Sequence, residues 1–247
     1  MPNINDIFFD GHYKEVWKMI IPDELTVKEI DFMIPYFNLQ AGSKVLDLMC
    51  GYGRHAIGLA RKGIAVTAVD NLPDYINEIR QTAAAENLPV TAVQSGILEF
   101  TPEEKFDLVI CMGNSLNFFN AADTETILKK AAGCLQPGGS LLINSWTLAE
   151  IIFKNNVPRS WSEVNGVKIL SEGKLLFQPA RNEMQMIMIM PDGRTETRTG
   201  IDYIFSINEM ETLLRQAGLA LQEVYSIPGK KKFTVGEPRA YLVAQKA

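Results

Sequence analysis

The stretch Val45-Leu46-Asp47-Leu48-Met49-Cys50-Gly51-Tyr52-Gly53 decides the fold class of this 247-residue chain. Its first four residues form a short, largely apolar run, which is typical of a strand buried on both faces of a parallel sheet. Gly51 and Gly53 permit a sharp turn and the close approach of a ligand to the backbone. A helix that starts after such a turn offers free N–H groups and partial positive charge to an anionic group. The stretch therefore predicts a strand, an anion-binding turn and a helix.

Strands and helices alternate on the carboxyl side of this stretch. Apolar runs predict strands at 65–69, 90–93, 106–111, 140–144, 221–227 and 240–244. Helical patterns lie at 54–62, 73–86 and 124–135, the last with Asp123 as N-cap, and the capping box Ser206-Ile207-Asn208-Glu209 starts another helix. Such alternation predicts an α/β fold with a doubly wound, mostly parallel sheet of seven strands.

Two other regions depart from this alternation. Residues 1–40 contain two helical patterns, at 13–20 and after the capping box Thr26-Val27-Lys28-Glu29, and are expected to form an N-terminal helical lid. Residues 147–203 contain period-2 segments such as Met184-Gln185-Met186-Ile187-Met188-Ile189-Met190, followed by the turn Pro191-Asp192-Gly193. They predict an antiparallel β insertion whose methionine stripe is a packed face. The α/β domain is then formed by 41–146 and 204–247.

Composition excludes several classes of function. The formal net charge of −5 disfavours nucleic acid as a partner. No apolar stretch approaches the ~20 residues that a membrane span needs, and the N-terminus lacks the pattern of a signal peptide. Three widely spaced cysteines without a C-x-x-C pair indicate reduced thiols and no metal site, so a cytoplasmic location is expected.

Carboxylates at the ends of two strands add a second signal to the glycine turn. Asp47 ends the first strand and Asp70, 19 residues beyond Gly51, ends the second. An acid at the end of the second strand can accept both hydroxyls of a ribose. The combination indicates a site for an adenosine-type nucleoside.

A nicotinamide-dependent oxidoreductase is the main alternative, because Gly51-Tyr52-Gly53-Arg54-His55-Ala56 matches the pattern G-x-G-x-x-A. Asp47 argues against it, since dinucleotide-binding folds usually have glycine or an apolar residue there. A Tyr-x-x-x-Lys pair or another hydride-transfer set is also missing from the sequence that follows. A non-catalytic, nucleoside-binding regulatory protein is a further alternative.

The stretch 45–53 resembles the first motif of class I S-adenosylmethionine-dependent methyltransferases, an apolar strand followed by D-x-x-C-G-x-G. Asp70 matches the acid of their second strand, residues 106–111 their fourth strand, and Leu135-Gln136-Pro137-Gly138-Gly139 the turn before their fifth. The resemblance covers about 40–146 and 204–247. Met112-Gly113-Asn114-Ser115-Leu116 is similar to a segment of glycine N-methyltransferase-like enzymes that lies near the methyl acceptor.

The resemblance implies S-adenosylmethionine as cofactor and assigns roles to residues. The glycine turn would hold the methionine part, Asp70 the ribose, and Gly96 with Ile97 the adenine. Met49 stands where the pattern often has glycine, a variation that leaves the turn intact. Gly96 stands where many members have an aspartate that contacts the adenine, so main-chain groups and Asn71 are alternative partners of the adenine. The candidate cofactor-binding residues are Tyr13, Trp17, Asp47, Gly51, Gly53, Arg54, Asp70, Asn71, Gly96, Ile97 and Met112.

The acceptor is expected to be a small molecule, and N-methylation of an amine or amino-acid-like compound by in-line displacement is the favoured reaction. No dedicated catalytic base is evident, and His55 is expected to be a polar neighbour of the cofactor. The insertion is expected to overhang the site as a lid, a surface for a homodimer, or both. The candidate substrate residues are Asn114, Asn117, Trp146, Arg198 and Tyr203.

Overall fold

A computed structural model describes residues 3–246 and contains seven α-helices within that range. The helices are α1 (Tyr13–Ile20), α2 (Asp23–Tyr36), α3 (Arg54–Ala60), α4 (Pro73–Glu86), α5 (Ala121–Cys134), α6 (Ala149–Asn155) and α7 (Ile207–Gln216). Two short 3₁₀ turns lie at Ile4–Ile7 and Ser115–Phe118. The strands are β1 (Lys44–Leu48), β2 (Ala65–Asp70), β3 (Val90–Gln94), β4 (Phe106–Cys111), β5 (Leu135–Ser145), β6 (Arg159–Val164), β7 (Val167–Phe177), β8 (Ala180–Ile189), β9 (Thr195–Tyr203), β10 (Leu219–Ile227), β11 (Lys231–Lys232) and β12 (Ala240–Lys246).

The larger sheet has the order β11-β10-β12-β5-β4-β1-β2-β3. Strands β1 to β5 run parallel to one another, and β12 pairs antiparallel with both β5 and β10. The predicted α/β fold with a mostly parallel sheet is thus confirmed. The sheet has eight strands instead of the predicted seven, because the two-residue β11 adds an edge that is too short to leave an apolar pattern.

Helices cover both faces of this sheet, which explains the continuous apolar runs of its central strands. Helices α2, α3 and α4 pack on one face, around Met33, Leu59 and Ile76. Helices α5, α6 and α7 pack on the other, around Leu128 and Leu214. The carboxyl ends of β1 to β4 therefore meet at one edge that the helices leave accessible.

Two predicted helix starts are wrong, and both errors bear on the site. Helix α2 begins at Asp23 after Pro22, so Thr26 and Glu29 lie inside it and form no capping box. Helix α5 begins at Ala121, capped by the side chain of Asn120, which accepts the N–H groups of Ala122 and Asp123. Local sequence could not separate these caps because Asn120 and Asp123 are both good N-cap residues.

The antiparallel sheet has the order β6-β7-β8-β9. Phe8, Tyr13 and Val16 pack on one of its faces against Met188 and Met190, and the remaining methionines of the stripe lie partly buried beside them. The predicted role of the methionine stripe as a packed face is confirmed. Among residues 3–246 no helix is long and apolar enough to cross a membrane.

Candidate active site

A cavity of about 930 Å³ opens at the carboxyl ends of β1 to β4. Such a volume lies near the upper end of the ~300–1,000 Å³ typical of small-molecule sites. Two of its walls differ in chemistry. The cofactor wall consists of the loops after β1, β2 and β3, with Asp47, Met49 to Tyr52, Arg54, Asp70 to Leu72 and Ser95 to Glu99. The aromatic wall consists of Phe9, Tyr13, Trp17, Trp146 and Tyr203.

The glycine turn exposes its backbone to this cavity. Gly51 has φ +56°, and a side chain there would meet nothing within 4 Å, so the space over it is open. Met49 has φ +54° and so keeps the left-handed conformation of the glycine that the motif often has there. Such a conformation costs a residue with a Cβ roughly 1–2 kcal/mol.

Gly53 has a different role from the predicted cofactor contact. It does not line the cavity, and a Cβ there would stand 2.5 Å from Cγ1 of Ile79. Its φ of +79° starts α3, and its missing side chain allows α3 to approach α4. Gly53 therefore shapes the turn by packing.

The Asp70 carboxylate is held by the backbone of the cofactor wall. Oδ2 accepts the N–H of Gly51 at 2.9 Å, and Oδ1 accepts the N–H of Leu72 at 3.0 Å. Burial raises the pKa of Asp70, and these N–H groups counteract that rise. Each carboxylate oxygen can accept another hydrogen bond, so the group is oriented to receive two ligand hydroxyls. Asn71 lines the cavity beside it and is exposed.

Asp47 presents an unsatisfied oxygen. Its Oδ2 is buried and has no hydrogen-bond partner within the part of the chain that the structure describes. Burial raises the pKa of Asp47 to about 7; the charge of Arg54 lowers it and that of Asp70 raises it. A buried carboxylate oxygen without a partner is costly, and a cationic donor on a ligand would relieve that cost.

A buried hydrogen-bond network holds the guanidinium group of Arg54. The Arg54 Nη1 donates to Glu29 Oε2 at 2.6 Å and to the Thr26 hydroxyl at 2.9 Å. His55 Nε2 lies 2.8 Å from Glu29 Oε2, and the Tyr241 hydroxyl donates to Glu29 Oε1 at 2.7 Å. Helix α2 and strand β12 thus fix a guanidinium that lines the cavity.

The protonation of this network follows from burial and from its hydrogen bonds. Burial by itself raises the pKa of Glu29, but the hydrogen bond from His55 and the nearby Arg54 charge outweigh it and bring that pKa to about 2. Burial and the Arg54 charge lower the pKa of His55. His55 is therefore a neutral, buried partner of Glu29, in keeping with its expected non-catalytic role. The sequence did not reveal the role of Glu29 at the site, because its spacing from Thr26 matches the pattern of a capping box.

Gly96 and Ile97 line the cavity after β3, as predicted. A Cβ on Gly96 would collide with Oε2 of Glu99, whose side chain lies over the glycine. Glu99 also lines the cavity and therefore brings a carboxylate to the place where the resemblance expects an aspartate at position 96. Its signal in the sequence was an acid within the same turn, three residues further on. Met112, also predicted, lines the cavity at the end of β4.

Rings of the aromatic wall contact one another. The Tyr13 and Trp17 rings stack with centroids 5.9 Å apart, and Trp17 and Trp146 have the same separation. The Tyr75 hydroxyl donates to the carbonyl of Phe9 at 2.9 Å and ties this wall to α4. The predicted residues Tyr13, Trp17, Trp146 and Tyr203 are thus brought into one cavity with the glycine turn.

Asp202 lies behind the aromatic wall and was not predicted. It is buried, its Oδ1 has no partner among the described residues, and its Oδ2 is 3.5 Å from the Thr147 hydroxyl. Burial raises the pKa of Asp202 to about 7. Burial, and then the charge of Asp202, raise the pKa of Tyr13.

Three predicted substrate residues do not line the cavity. The Asn114 side-chain oxygen accepts the N–H groups of Trp146 and Thr147 at 2.9 and 3.1 Å, and its amide donates to the Thr147 hydroxyl at 2.8 Å. These bonds engage the Asn114 side chain within the fold.

Asn117 and Arg198 are likewise engaged with the protein. The Asn117 side chain donates to the Tyr203 carbonyl at 2.9 Å. Arg198 donates to the Asp10 carbonyl at 3.2 Å and to Glu196 Oε2 at 2.8 Å. These side chains support the walls of the cavity. In residues 3–246, no group of three or more His, Cys, Asp or Glu side chains could hold a metal ion.

Known proteins share this fold and its central motif. The family described as "Methyltransferase domain" matches residues 45–139. A ubiquinone biosynthesis O-methyltransferase from Coxiella burnetii is 25% identical over 172 residues, which cover 59% of this chain and 72% of the relative. A solved S-adenosylmethionine-dependent methyltransferase from Clostridium acetobutylicum superimposes with a TM-score of 0.81 at 16% identity, covering 95% of this chain and 96% of the other. A SAM-bound amino pentose methyltransferase from Micromonospora echinaspora, involved in calicheamicin biosynthesis, gives 0.71 at 17% identity, covering 96% and 98%.

The sheet order and the glycine turn with Asp70 define a Rossmann-like methyltransferase fold. The family domain matched over residues 45–139 agrees with this fold and indicates an S-adenosylmethionine-dependent methyltransferase. The oxidoreductase alternative is thereby set aside.

Proposed function

We propose that this methyltransferase moves the methyl group of S-adenosylmethionine to an amine nitrogen of a small molecule. The observation that carries the proposal is the series of neighbouring rings Tyr13, Trp17 and Trp146 in the same cavity as the glycine turn. Aromatic faces attract ammonium groups, by roughly 2 kcal/mol or more where water is excluded. The wall is therefore suited to gather an amine beside the methyl donor.

The charges of the cavity support a cationic acceptor. Arg54 is the one lysine or arginine among the described residues that line it. The carboxylates of the lining are Asp6, Asp47, Asp70, Glu99 and Asp123. Asp202 adds a further buried carboxyl group behind Tyr13. The carboxyl groups that are ionised give the cavity a negative potential, which concentrates cations there.

The polar groups of the cofactor wall match the parts of S-adenosylmethionine. Asp47 offers its unpartnered oxygen to the α-amino group, and Arg54 offers its guanidinium to the α-carboxylate. Asp70 accepts the ribose hydroxyls, and the open backbone at Gly51 leaves room for the methionine chain. When bound, the sulfonium supplies an electrophilic methyl group.

We assign the adenine amino group to Glu99. Its carboxylate stands in the space of the missing side chain of Gly96 and lines the cavity. A Glu99→Gln variant should lose preference for S-adenosylhomocysteine over S-inosylhomocysteine, whose 6-oxo group accepts a hydrogen bond that the glutamine amide donates. The affinity ratio of the two ligands should change by about tenfold, and an unchanged ratio would remove Glu99 from the adenine site.

The reaction requires alignment more than a strong base. The amine loses a proton to solvent or a carboxylate, and its lone pair forms the N–C bond. The S–C bond breaks, the sulfur keeps the electron pair, and S-adenosylhomocysteine leaves. Holding two reactants in line can supply ~7–11 kcal/mol of the barrier reduction. The aromatic wall supplies that alignment and excludes water.

The N-terminal segment, residues 3–21, is proposed to be the lid of the cavity. Asn5 donates to the carbonyls of Phe118 and Ile201, both at 2.9 Å, and accepts the N–H of Ile201 at 2.8 Å. The segment brings Phe9, Tyr13 and Trp17 into the lining, so its displacement would open the aromatic wall. The β insertion, residues 147–203, is proposed to support the segment over the acceptor.

The test is a transfer assay with S-adenosylmethionine that carries a deuterated methyl group. Panels of primary and secondary amines, including amino sugars and amino acids, are compared with matched alcohols by mass spectrometry. Label in amines and not in alcohols is expected. Label in the alcohols alone would contradict the amine proposal and favour O-methylation, the activity named for the Coxiella relative.

Variants of the aromatic wall sharpen this assay. Trp146→Leu should raise the KM of a responsive amine several-fold while S-adenosylhomocysteine affinity stays within twofold, because Trp146 is assigned to the acceptor. Phe153→Leu, at an exposed aromatic outside the cavity, is the matched control. A thermal shift with S-adenosylhomocysteine but not with NAD tests the cofactor separately.

A further inference from the structure

Strand β6 forms an open edge of the antiparallel sheet. Within residues 3–246, β7 is the only strand that pairs with it. Residues Arg159 to Glu163 are all exposed, and Trp161 keeps 73% of its surface accessible. An open edge strand presents unpaired N–H and C=O groups that another strand can bind.

The ladder between β6 and β7 fixes which residues face the open edge. The N–H of Gly173 donates to the carbonyl of Pro158 at 2.8 Å, which makes this a hydrogen-bonded pair. Hydrogen-bonded and non-hydrogen-bonded residues alternate in an antiparallel ladder. Ser160 and Ser162 therefore bond to β7, whereas Arg159, Trp161 and Glu163 direct their backbone groups to the open edge.

The sequence of this edge is complementary to itself. In Arg159-Ser160-Trp161-Ser162-Glu163, opposite charges lie two residues on either side of a central tryptophan. An antiparallel pairing of two such strands, centred on Trp161, places each Arg159 opposite the Glu163 of the other copy. It also places the two tryptophans opposite each other. All three residues that face the edge then find hydrogen-bonding partners.

We propose that β6 pairs with β6 of a second copy of this chain and forms a two-fold symmetric dimer. A two-fold axis through Trp161 is isologous, so each contact occurs twice. The two four-stranded sheets then form one continuous sheet of eight strands. Charges on an edge usually discourage pairing with other proteins, but here their symmetric, opposite signs favour pairing with the same strand.

Apolar contacts on one face strengthen the pairing. Trp161 lies opposite Leu170 of β7, which is itself 41% exposed. The face with Trp161 is opposite to the face that packs against Phe8 and Tyr13. The dimer therefore covers exposed apolar surface while the N-terminal segment stays free to move.

The first test exploits the charge pattern with two variants of the full chain. Glu163→Lys makes both charged edge positions positive, and Arg159→Glu makes both negative. Each variant alone should dissociate at a concentration at least tenfold higher than the unaltered chain, by analytical ultracentrifugation. A 1:1 mixture should form a heterodimer with near-native affinity. Circular dichroism checks that these exposed substitutions leave the fold intact.

The second test reads the register. With Trp161→Cys the two introduced thiols would face each other across the axis, at the ~5.5 Å Cα separation of a hydrogen-bonded pair, which suits a disulfide. Mild oxidation should give a covalent dimer, whereas Ser160→Cys should give at most a tenth as much because its partner is Ser162. A monomeric unaltered chain at all concentrations, a mixture that fails to associate, or equal cross-linking from both positions would overturn the proposal.

Discussion

The cofactor wall and the aromatic wall of the cavity are assembled in different ways. The cofactor wall uses loops that follow three adjacent parallel strands, and its polar groups bond to the backbone of the same loops, as Asp70 does with Gly51 and Leu72. The aromatic wall joins segments far apart in the sequence, since Trp17 meets Trp146. The first is fixed by the sheet. The second depends on the N-terminal segment staying in place and is the part that can open.

The largest effect is expected at the centre of the cofactor wall. Asp70→Ala removes the acceptor of two ribose hydroxyls and should weaken S-adenosylhomocysteine binding by roughly 100-fold or more. Asp74→Ala, at an exposed acid in the first turn of α4, is the control and should bind normally. Titration calorimetry measures both. Native affinity in the Asp70 variant would contradict the assignment of ligand binding to the cofactor wall.

The next largest effect is expected at Glu29, which binds the Arg54 guanidinium. Glu29→Gln leaves a buried cation without its partner and should lower the free energy of unfolding by about 3 kcal/mol. It should also weaken S-adenosylhomocysteine binding. Glu24→Gln on the exposed side of α2 is the matched control. Chemical denaturation measures the difference, and equal stability of the two variants would contradict the role of this network.

The pH dependence of the Glu29 effect follows from its pKa. Folding lowers that pKa from 4.5 to about 2, so the stabilisation is complete above pH 4.5 and lost as the pH falls through 2. The difference in the free energy of unfolding between the unaltered chain and Glu29→Gln should therefore become smaller as the pH falls over that range. A gap that stays constant down to pH 2 would exclude an ionised Glu29.

Asp47 should give ligand binding a pH dependence near neutrality. Its pKa is raised to about 7 in the free protein, and it must be ionised to accept the ligand ammonium group. Affinity for S-adenosylhomocysteine should rise with pH, by up to about tenfold per unit below pH 7. 5′-Methylthioadenosine, which has no ammonium group, should lack this slope, and so should Asp47→Asn. The same slope in all three cases would refute the assignment.

A smaller and local effect is expected for the aromatic wall. Asn5→Ala removes three hydrogen bonds that hold the N-terminal segment. Amide exchange in residues 3–21 should speed up about tenfold, while the core strands stay protected. Asn208→Ala, at an exposed position of α7, is the control. Uniformly faster exchange across the chain would show that the segment and the sheet open as one unit.

The smallest effect concerns backbone strain at Met49. Because its φ is +54°, Met49→Gly should be more stable than Met49→Ala by about 1 kcal/mol, since both lose the side chain but only glycine relieves the strain. Thermal denaturation compares the two. The reverse order would show that the turn carries no such strain.

Sequence reasoning succeeded where local rules determine structure. The glycine turn, Asp70 and the alternation of strands with helices depend on residues near one another in the chain, and the structure confirms the α/β fold that they predict. It failed where partners come from distant segments. Asn114 looked like a free amide beside the site, but the backbone after β5 binds it. Glu29 could not be recognised because Tyr241 lies 212 residues away.

A structure with bound S-adenosylhomocysteine tests the two-wall account most directly. We expect the ribose hydroxyls on the Asp70 carboxylate, the ligand ammonium group on Asp47, and the sulfur directed toward Trp17 and Trp146. A ligand whose ribose lies away from Asp70, or whose sulfur is directed away from the aromatic wall, would contradict it.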